Sequence, residues 1–319
     1  MIVFVTSYGH EHTVASLVTQ RFGVPVPDTK VMLYDKLLHI DALPRATYIF
    51  ADIERLYPWE RRLAGLYYQQ LSSAGLRCLN DPATVKTRFP LIRALAAAGI
   101  NGYNAYRADE DPRPARFPVF LRFEHEHTGP LSLLIHDQDD LDLQLGRLTD
   151  LGISPEGVLV VEFQAERMAP GIWGRYASFR IGQTISAFGV LVSDVWYVKN
   201  GDLPTGELGA KAERFVRQNA DVPTVSKAFA LGRIEYGRAD FGILQGGEVV
   251  FEINTNPHLE ALSFDGGQGP DLRLTSRQRL ADALFAIDSP GGDRVPIDPG
   301  PEILAHRKRN PIGQPSKRP

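Results

Sequence analysis

Two short runs in the C-terminal third carry the residue types that cation and phosphate chemistry needs. They are Arg238-Ala-Asp240-Phe241 and Phe251-Glu252-Ile-Asn254-Thr-Asn256-Pro257, set on either side of Gln245-Gly246-Gly247. Strand-like residues flank that turn, so the stretch reads as a hairpin closed by a three-residue loop containing glycine. With such a loop Leu244 pairs with Glu248, Asp240 falls opposite Glu252, and Arg238 falls opposite Asn254. Four polar groups then share one face. The other face holds Ala239, Phe241 and Ile243 against Ile253, Phe251 and Val249, an apolar set that must point into a core. A two-residue loop would mix the two faces.

Carboxylates directly opposite on a sheet lie about 4.5–5.5 Å apart at Cβ and repel unless a cation sits between them. Asp240, Glu252 and the Asn254 carbonyl offer only oxygen, as Mg2+ or Mn2+ prefers, and leave coordination positions for phosphate oxygens or water. Arg238 beside them suits a planar anion or a transferring phosphoryl group. A solvated sheet face with an Arg–Asp and a Glu–Asn contact accounts for the same pattern equally well.

The chain has the means to position such a face. Its 319 residues, 43% hydrophobic, can bury a core shared by two or three compact units. A net charge of −3 gives no basic surface for neutralising a nucleic-acid backbone, so nucleic acid is not an expected partner. No stretch has the length and apolarity of a bilayer span, and Met1–Thr6 carries no sign of a secretory leader. The single Cys78 reads as a buried thiol in a reducing cytoplasm.

Strand and helix signals alternate at the start: strands at 2–6 and 47–51, helices at 13–22 and 56–74, with Gly75 closing the last. Asn80-Asp-Pro82 is a turn and cap signal before a helix at 84–98. Strands follow at 117–123 and 158–163 around a helix at 139–151, and 173–199 is rich in strand formers. Further helices are expected at 210–219 and 223–231. Beyond residue 288 the chain becomes rich in Pro, Gly and basic charge and reads as a mobile tail. Ser7, Tyr8, His10 and His12 follow the first strand, where a ligand crevice in an α/β sheet would open.

Arg-x-Asp-Phe on one strand and Phe-Glu-Ile-Asn-Thr-Asn-Pro on the next resemble the magnesium-binding signature of the ATP-grasp superfamily, whose carboxylate–amine ligases include the D-alanine and RimK-type ligases. The resemblance spans about residues 75–262. It implies an α/β (α+β) chain with a pre-ATP-grasp α/β domain at 1–80 and an ATP-grasp domain at 81–287. Within the latter a small nucleotide-covering subdomain occupies about 115–163 and a metal- and phosphate-binding subdomain 164–287, leaving 288–319 as the tail. Asp240, Glu252 and Asn254 would hold the metal. The segment Asn80–Ile100 resembles the family's first nucleotide-binding helix, which implies Lys86 or Arg88 at the phosphates. On the strand 117–123 Arg122 stands where the family presents a second phosphate-binding lysine. The strand 158–163 resembles the adenine hinge, with backbone near Glu162 and Phe163 reading the base and the Glu162 carboxylate holding ribose. Arg175, Arg180 and Lys199 would line the nucleotide cleft. The phosphate-covering loop would fall between Arg122 and Leu131, with His125, His127 and a lone Gly129, while His258 and Glu260 would either meet the acceptor or cap the loop.

The resemblance implies ATP and Mg2+ (or Mn2+) as cofactors. Phosphoryl transfer to a carboxylate would give an acyl phosphate that an amine attacks, forming an amide or peptide bond, with Arg122 and Arg238 stabilising the transferred group. Small-molecule or peptide acids and amines are then the substrates; the sequence does not fix the oligomeric state, and a dimer is compatible with it. The alternatives are a small-molecule kinase on the same fold and a nucleotide-binding module with little turnover. The chain has no P-loop and no G-x-S-x-G, which argues against a Walker-type ATPase and a serine hydrolase. Asp240→Asn and Glu252→Gln are both expected to keep the fold and remove Mg-dependent turnover.

Overall fold

Ile2-Val-Phe-Val-Thr6 is apolar without alternation, the signature of a strand covered on both faces. In the computed structural model, which describes residues 1–126, 128–199, 201–219, 221–259 and 270–311, this strand is central in a parallel sheet. The first elements are β1 (Ile2–Thr6), α1 (Ala15–Val18), β2 (Thr29–Leu33), α2 (Tyr34–Leu37), β3 (Ala42–Pro44), β4 (Thr47–Phe50), α3 (Pro58–Ser73) and β5 (Cys78–Leu79), with sheet order β2-β1-β4-β5. The helix expected at 13–22 is only a 3-10 turn, Glu11–Val14, followed by α1. Its Thr and Val residues favour extended backbone, and Gln20 takes a left-handed conformation that ends it. One face of the sheet sends Val3, Val5, Tyr48 and Phe50 into the largest core, and the other sends Ile2, Phe4, Ile49 and Ala51 into a second.

After α4 (Arg88–Ala97) come β6 (Ala105–Arg107), β7 (Val119–Phe123), α5 (Gln138–Asp150) and β8 (Val158–Glu162), an antiparallel sheet of order β6-β8-β7 backed by α5. The next sheet has the order β11-β10-β12-β13, from β9 (Arg167–Ala169), β10 (Ile172–Ile181), β11 (Thr184–Ser193), α6 (Gly206–Gln218), α7 (Pro223–Gly232), β12 (Tyr236–Leu244) and β13 (Gly247–Asn254), with β9 paired to β10. α6, α7 and the hairpin β12–β13 share the largest core with the first sheet, which fixes the two units together. The helix α8 (Pro270–Ile287), not anticipated from sequence, buries Leu280, Ala281, Leu284 and Ile287 in the second core. Among the described residues no helix is long and apolar enough to cross a membrane.

Three side chains rivet the first sheet to the hairpin. Asn80, fully buried and left-handed, donates to the carbonyls of Phe50 (3.1 Å) and Tyr236 (2.8 Å) and accepts from the amides of Glu235 and Tyr236. Its amide thus splices the end of β4 to the start of β12. Beyond β13, Thr255 donates its hydroxyl to the buried Glu54 carboxylate and accepts from the Ile53 amide, while Asn256 accepts from Thr13 and donates to Thr6 and the His10 carbonyl.

The segment expected as a mobile tail is instead built into the fold as far as residue 311; residues 312–319 lie outside the described residues. β14 (Arg294–Pro296) pairs with β3, and α9 (Gly300–Arg309) buries Ile303 and His306. The physical reason is that its basic residues have partners. Arg307 binds Asp41 and the carbonyls of Leu38 and Ile40, and His306 stacks on Trp59 at 5.1 Å and meets His39 at 5.9 Å. Burial, with positive charge from Arg307 at His39 and from His39 and Arg309 at His306, lowers both imidazole pKa values, opposed only in part by Asp35. A histidine held neutral by the fold takes up its proton on unfolding, so the unfolded chain gains stability as pH falls. The melting temperature should therefore decline as pH drops below about 6.5, the ordinary histidine value. Calorimetry should show a shallower decline through that window for His306→Gln than for the parent chain.

Candidate active site

The hairpin β12–β13 places the residues singled out above, by a register that differs from the expected one in its outer half. Arg238 pairs with Asn254, Ala239 with Ile253 and Asp240 with Glu252, as anticipated, but Phe241 pairs with Val250 and Leu244 with Gly247. The loop is two residues long, and Phe251 is the extra residue of a bulge. The expected pairing of Leu244 with Glu248 is therefore replaced by Ile243 with Glu248, and Ile243 is 48% exposed rather than in the core. What the sequence pattern missed is that both faces of the outer hairpin are apolar. Val249 and Phe251 pack with Ile92, Tyr103, Leu159 and Val161, while Val250 and Phe241 enter the main core. The Asn101 side chain supports the bulge by bonding both the amide (3.0 Å) and the carbonyl (2.8 Å) of Val250. Gly242 is required beneath it, since a Cβ there would lie 2.9 Å from the Phe251 ring. The bulge leaves Phe251 and Glu252 both lining one cleft.

That cleft, about 390 Å³, lies between β7–β8 and the hairpin sheet and has a charged floor and an aromatic wall. Asp240 is 1% exposed and receives Arg238 through Nε (2.9 Å) and Nη2 (3.1 Å) as well as Arg175 through Nη1. Glu252 receives Nη2 of Arg88 (3.0 Å) and of Arg122 (3.3 Å). Each carboxylate thus has two guanidinium partners, so the pair is neutralised from within the chain. Burial opposes the charge of Arg238, but Asp240 holds its pKa above the ordinary value; burial lowers that of Arg122, offset in part by Glu252. The Nε atoms of Arg88, Arg122 and Arg175 are buried with no hydrogen-bond partner. Unspent guanidinium donors, two of them on cleft-lining arginines, suit an anion with several oxygens.

The wall is aromatic. Trp196 packs on Phe120 (4.9 Å), Phe163 (5.4 Å) and Tyr197 (5.3 Å), and Trp173 meets Phe163 edge-on at 5.7 Å. Gly129 closes on this wall, since a Cβ there would come within 3.2 Å of the Tyr197 ring. Only Phe163 of this set stood out in the sequence. The signal for the others was the clustering of Trp173, Trp196 and Tyr197 in one strand-rich stretch.

Of the expected residues, the structure brings Arg122, Glu162, Phe163, Arg175, Lys199, Arg238, Asp240, Glu252 and Asn254 to this cleft. Arg180 is not among them. It sits at the far end of β10, bonded to the Gly182 carbonyl and facing Arg233 and Glu235, because it lies five residues further along the strand than Arg175. Neither Arg88 nor Lys86 lines the cleft wall; Arg88 lies behind Glu252 with its guanidinium bonded to backbone carbonyls. Glu162 is 3% exposed and accepts from the amides of Asn104 and Arg116 and from the Tyr106 hydroxyl. These bonds tie β8 to the segments around it rather than leaving the carboxylate open for a sugar. The Phe163 amide donates to the Pro118 carbonyl at 2.9 Å. His127 and Glu260 lie outside the described residues.

On the opposite side His10, His12 and His258 close the cleft, with ring centroids 6.1 Å apart between His10 and His12 and 5.8 Å between His12 and His258. His10 and Arg55 also line a second cavity of about 840 Å³ under α3, which carries Arg61, Arg62, Asp35, Glu54, Glu60 and Glu126. The two cavities therefore share His10 and Arg55 in their walls.

No family model and no curated protein matches the sequence. Among solved structures, the D-alanine–D-alanine ligase of Bacillus anthracis complexed with ATP is similar over 97% of this chain and 99% of that one, with a TM-score of 0.51 at 15% identity. The chain has the ATP-grasp fold. The L-amino acid ligase of Bacillus licheniformis (TM-score 0.49, 10% identity, 89% of this chain and 74% of that one) is too distant to add to the argument. So is the RimK-domain ATP-grasp protein of Sphaerobacter thermophilus (TM-score 0.43, 16% identity, 89% and 100%). At these identities the likeness speaks to fold alone.

An ATP-grasp fold implies a magnesium nucleotide, and the donor set fits one under a condition. Among the described residues no three His, Cys, Asp or Glu side chains gather as a metal group. Asp240, Glu252 and Asn254 supply too few oxygens by themselves, and the guanidinium groups around the carboxylates oppose a bare cation. The site suits a metal that arrives with phosphate oxygens. The same contacts separate the two substitutions expected above to be harmless to folding. Asp240→Asn leaves two arginines facing a neutral amide in a buried site and should cost about 3–5 kcal/mol of stability. Glu252→Gln, at a side chain 21% exposed, should cost about 1–2 kcal/mol. Urea unfolding of both variants at neutral pH checks the ranking.

Proposed function

We propose that this chain is an ATP- and Mg2+-dependent carboxylate–amine ligase. The observation that best supports the reading is the cleft itself: buried arginines with unspent donors at one end, an aromatic wall at the other, and a carboxylate pair between. A nucleotide has that polarity. Arg122, Arg175 and Arg238 take the phosphates, and Phe120, Phe163, Trp173 and Trp196 take the base by stacking. Bound Mg2+, held by Asp240, Glu252 and Asn254, would neutralise phosphate charge. Lys199, exposed on the cleft rim, adds a cation to the phosphate end. Residues 1–80 form the acceptor-binding unit and 81–287 the nucleotide-binding one.

The reaction balances as two displacements. An oxygen of the acid attacks the terminal phosphorus and ADP departs; the amine then attacks the acyl carbon, loses a proton, and phosphate departs. The charge that develops on the transferred group faces Arg122 and Arg238. The second cavity supports the acid-plus-amine reading over a kinase, because it carries both signs of charge and borders the first at His10 and Arg55. A zwitterionic amine, an amino acid or short peptide, suits it.

Millimolar Mg-ATP should raise the melting temperature by about 3–6 °C, while Mg2+ alone should not. ADP and phosphate should then be released only when an acid and an amine are both present. No shift with Mg-ATP would sink the nucleotide reading; ADP release that needs no amine would turn the reading to a kinase.

A further inference from the structure

Arg88 opens α4 and is 8% exposed, yet it is spent neither on solvent nor on the cleft wall. Its Nη1 lies 3.1, 2.6 and 2.9 Å from the carbonyl oxygens of Phe123, Glu124 and Glu126, and its Nη2 lies 3.0 Å from Oε2 of Glu252. The turn after β7 therefore wraps its carbonyls around one guanidinium, whose remaining edge grips the hairpin carboxylate. A neighbouring contact reinforces the grip: Arg107 lies over the Phe89 ring at 4.4 Å and bonds the buried Glu124 carboxylate at 2.8 Å.

We propose that Arg88 is a positioning residue that sets the place of the turn 123–126 according to the state of Glu252. The turn stands between the two cavities. His125 and Glu126 line the second and His125 bonds the Glu54 carbonyl at 3.0 Å, whereas Thr128, Gly129 and Pro130 line the first. Glu252 is shared by Arg88 and Arg122, so any ligand that draws the carboxylate toward the cleft competes with Arg88 for it. A weaker hold on Arg88 releases the donors that gather the turn's carbonyls. Lysine cannot replace it, because one ammonium cannot span three carbonyls and a carboxylate at these separations. The consequence for nucleotide affinity rests on the ligase reading; the coupling between Glu252 and the turn does not.

Amide hydrogen exchange on the full, ligand-free chain tests the coupling. Exchange at Glu124, His125 and Glu126 should quicken by about tenfold or more in Arg88→Lys and, without touching the turn directly, in Glu252→Gln. Arg122→Lys, which alters the other partner of Glu252 and whose guanidinium bonds that carboxylate rather than the turn's carbonyls, should leave those amides within about twofold. Unchanged exchange in Glu252→Gln, or equal loosening in Arg122→Lys, overturns the proposal. Should Arg88→Lys fail to fold, Glu252→Gln against Arg122→Lys still decides it. If ATP binds, Arg88→Lys should raise its KM more than it lowers kcat. An exchange effect without ATP binding would leave the coupling standing and count against the ligase reading alone.

Discussion

Two carboxylates opposite each other on neighbouring strands cannot be enclosed unless positive charge is enclosed with them, and much of this molecule is arranged around that requirement. The neutralising arginines come from four elements: Arg88 from α4, Arg122 from β7, Arg175 from β10 and Arg238 from β12. Charge balance at Asp240 and Glu252 therefore helps to hold the β6–β8 sheet and α4 against the hairpin. Buried ion pairs of this kind are poor sources of net stability, since desolvation offsets most of the attraction. Their return is geometric. They keep several guanidinium groups in one place with donors to spare.

Asparagine amides do the complementary work on the backbone. Asn80 splices two sheets, Asn101 satisfies the backbone at the bulge, and Asn256 fastens the strand end beyond the hairpin to the first unit. Each uses both its donor and its acceptor, and each sits where irregular backbone would otherwise leave buried groups unsatisfied. By this means the apolar packing of two sheets and the placement of a polar cleft become one problem with one solution.

The paired positions nearest the chemistry were legible because face alternation around Asp240 and Glu252 leaves little choice of register there. Further out, the pattern misled: Val249, Val250 and Phe251 are apolar in succession, and no alternation rule reveals that one of them is a bulge packed on another sheet. Arg88 and Arg180 show a second limit. A basic residue in the right element says nothing of its direction, and here one turns to backbone carbonyls and the other to the far end of its strand. The C-terminal segment shows a third. Its composition resembles that of a linker, but Arg307 and His306 find specific partners that composition does not encode.

The bulge at Phe251 also divides the hairpin into two mechanically separate lengths. Toward Asn254 the ladder is locked by side chains on both strands, whereas the tip Gln245–Gly247 is exposed, with Ile243 at the surface and Glu248 partly covered behind it. A chain that has already absorbed one extra residue at a point where an asparagine amide substitutes for the missing partner can change length at its tip without moving Asp240 or Glu252. The tip is thus the natural place for this chain to carry a grafted segment while the cleft remains as it is.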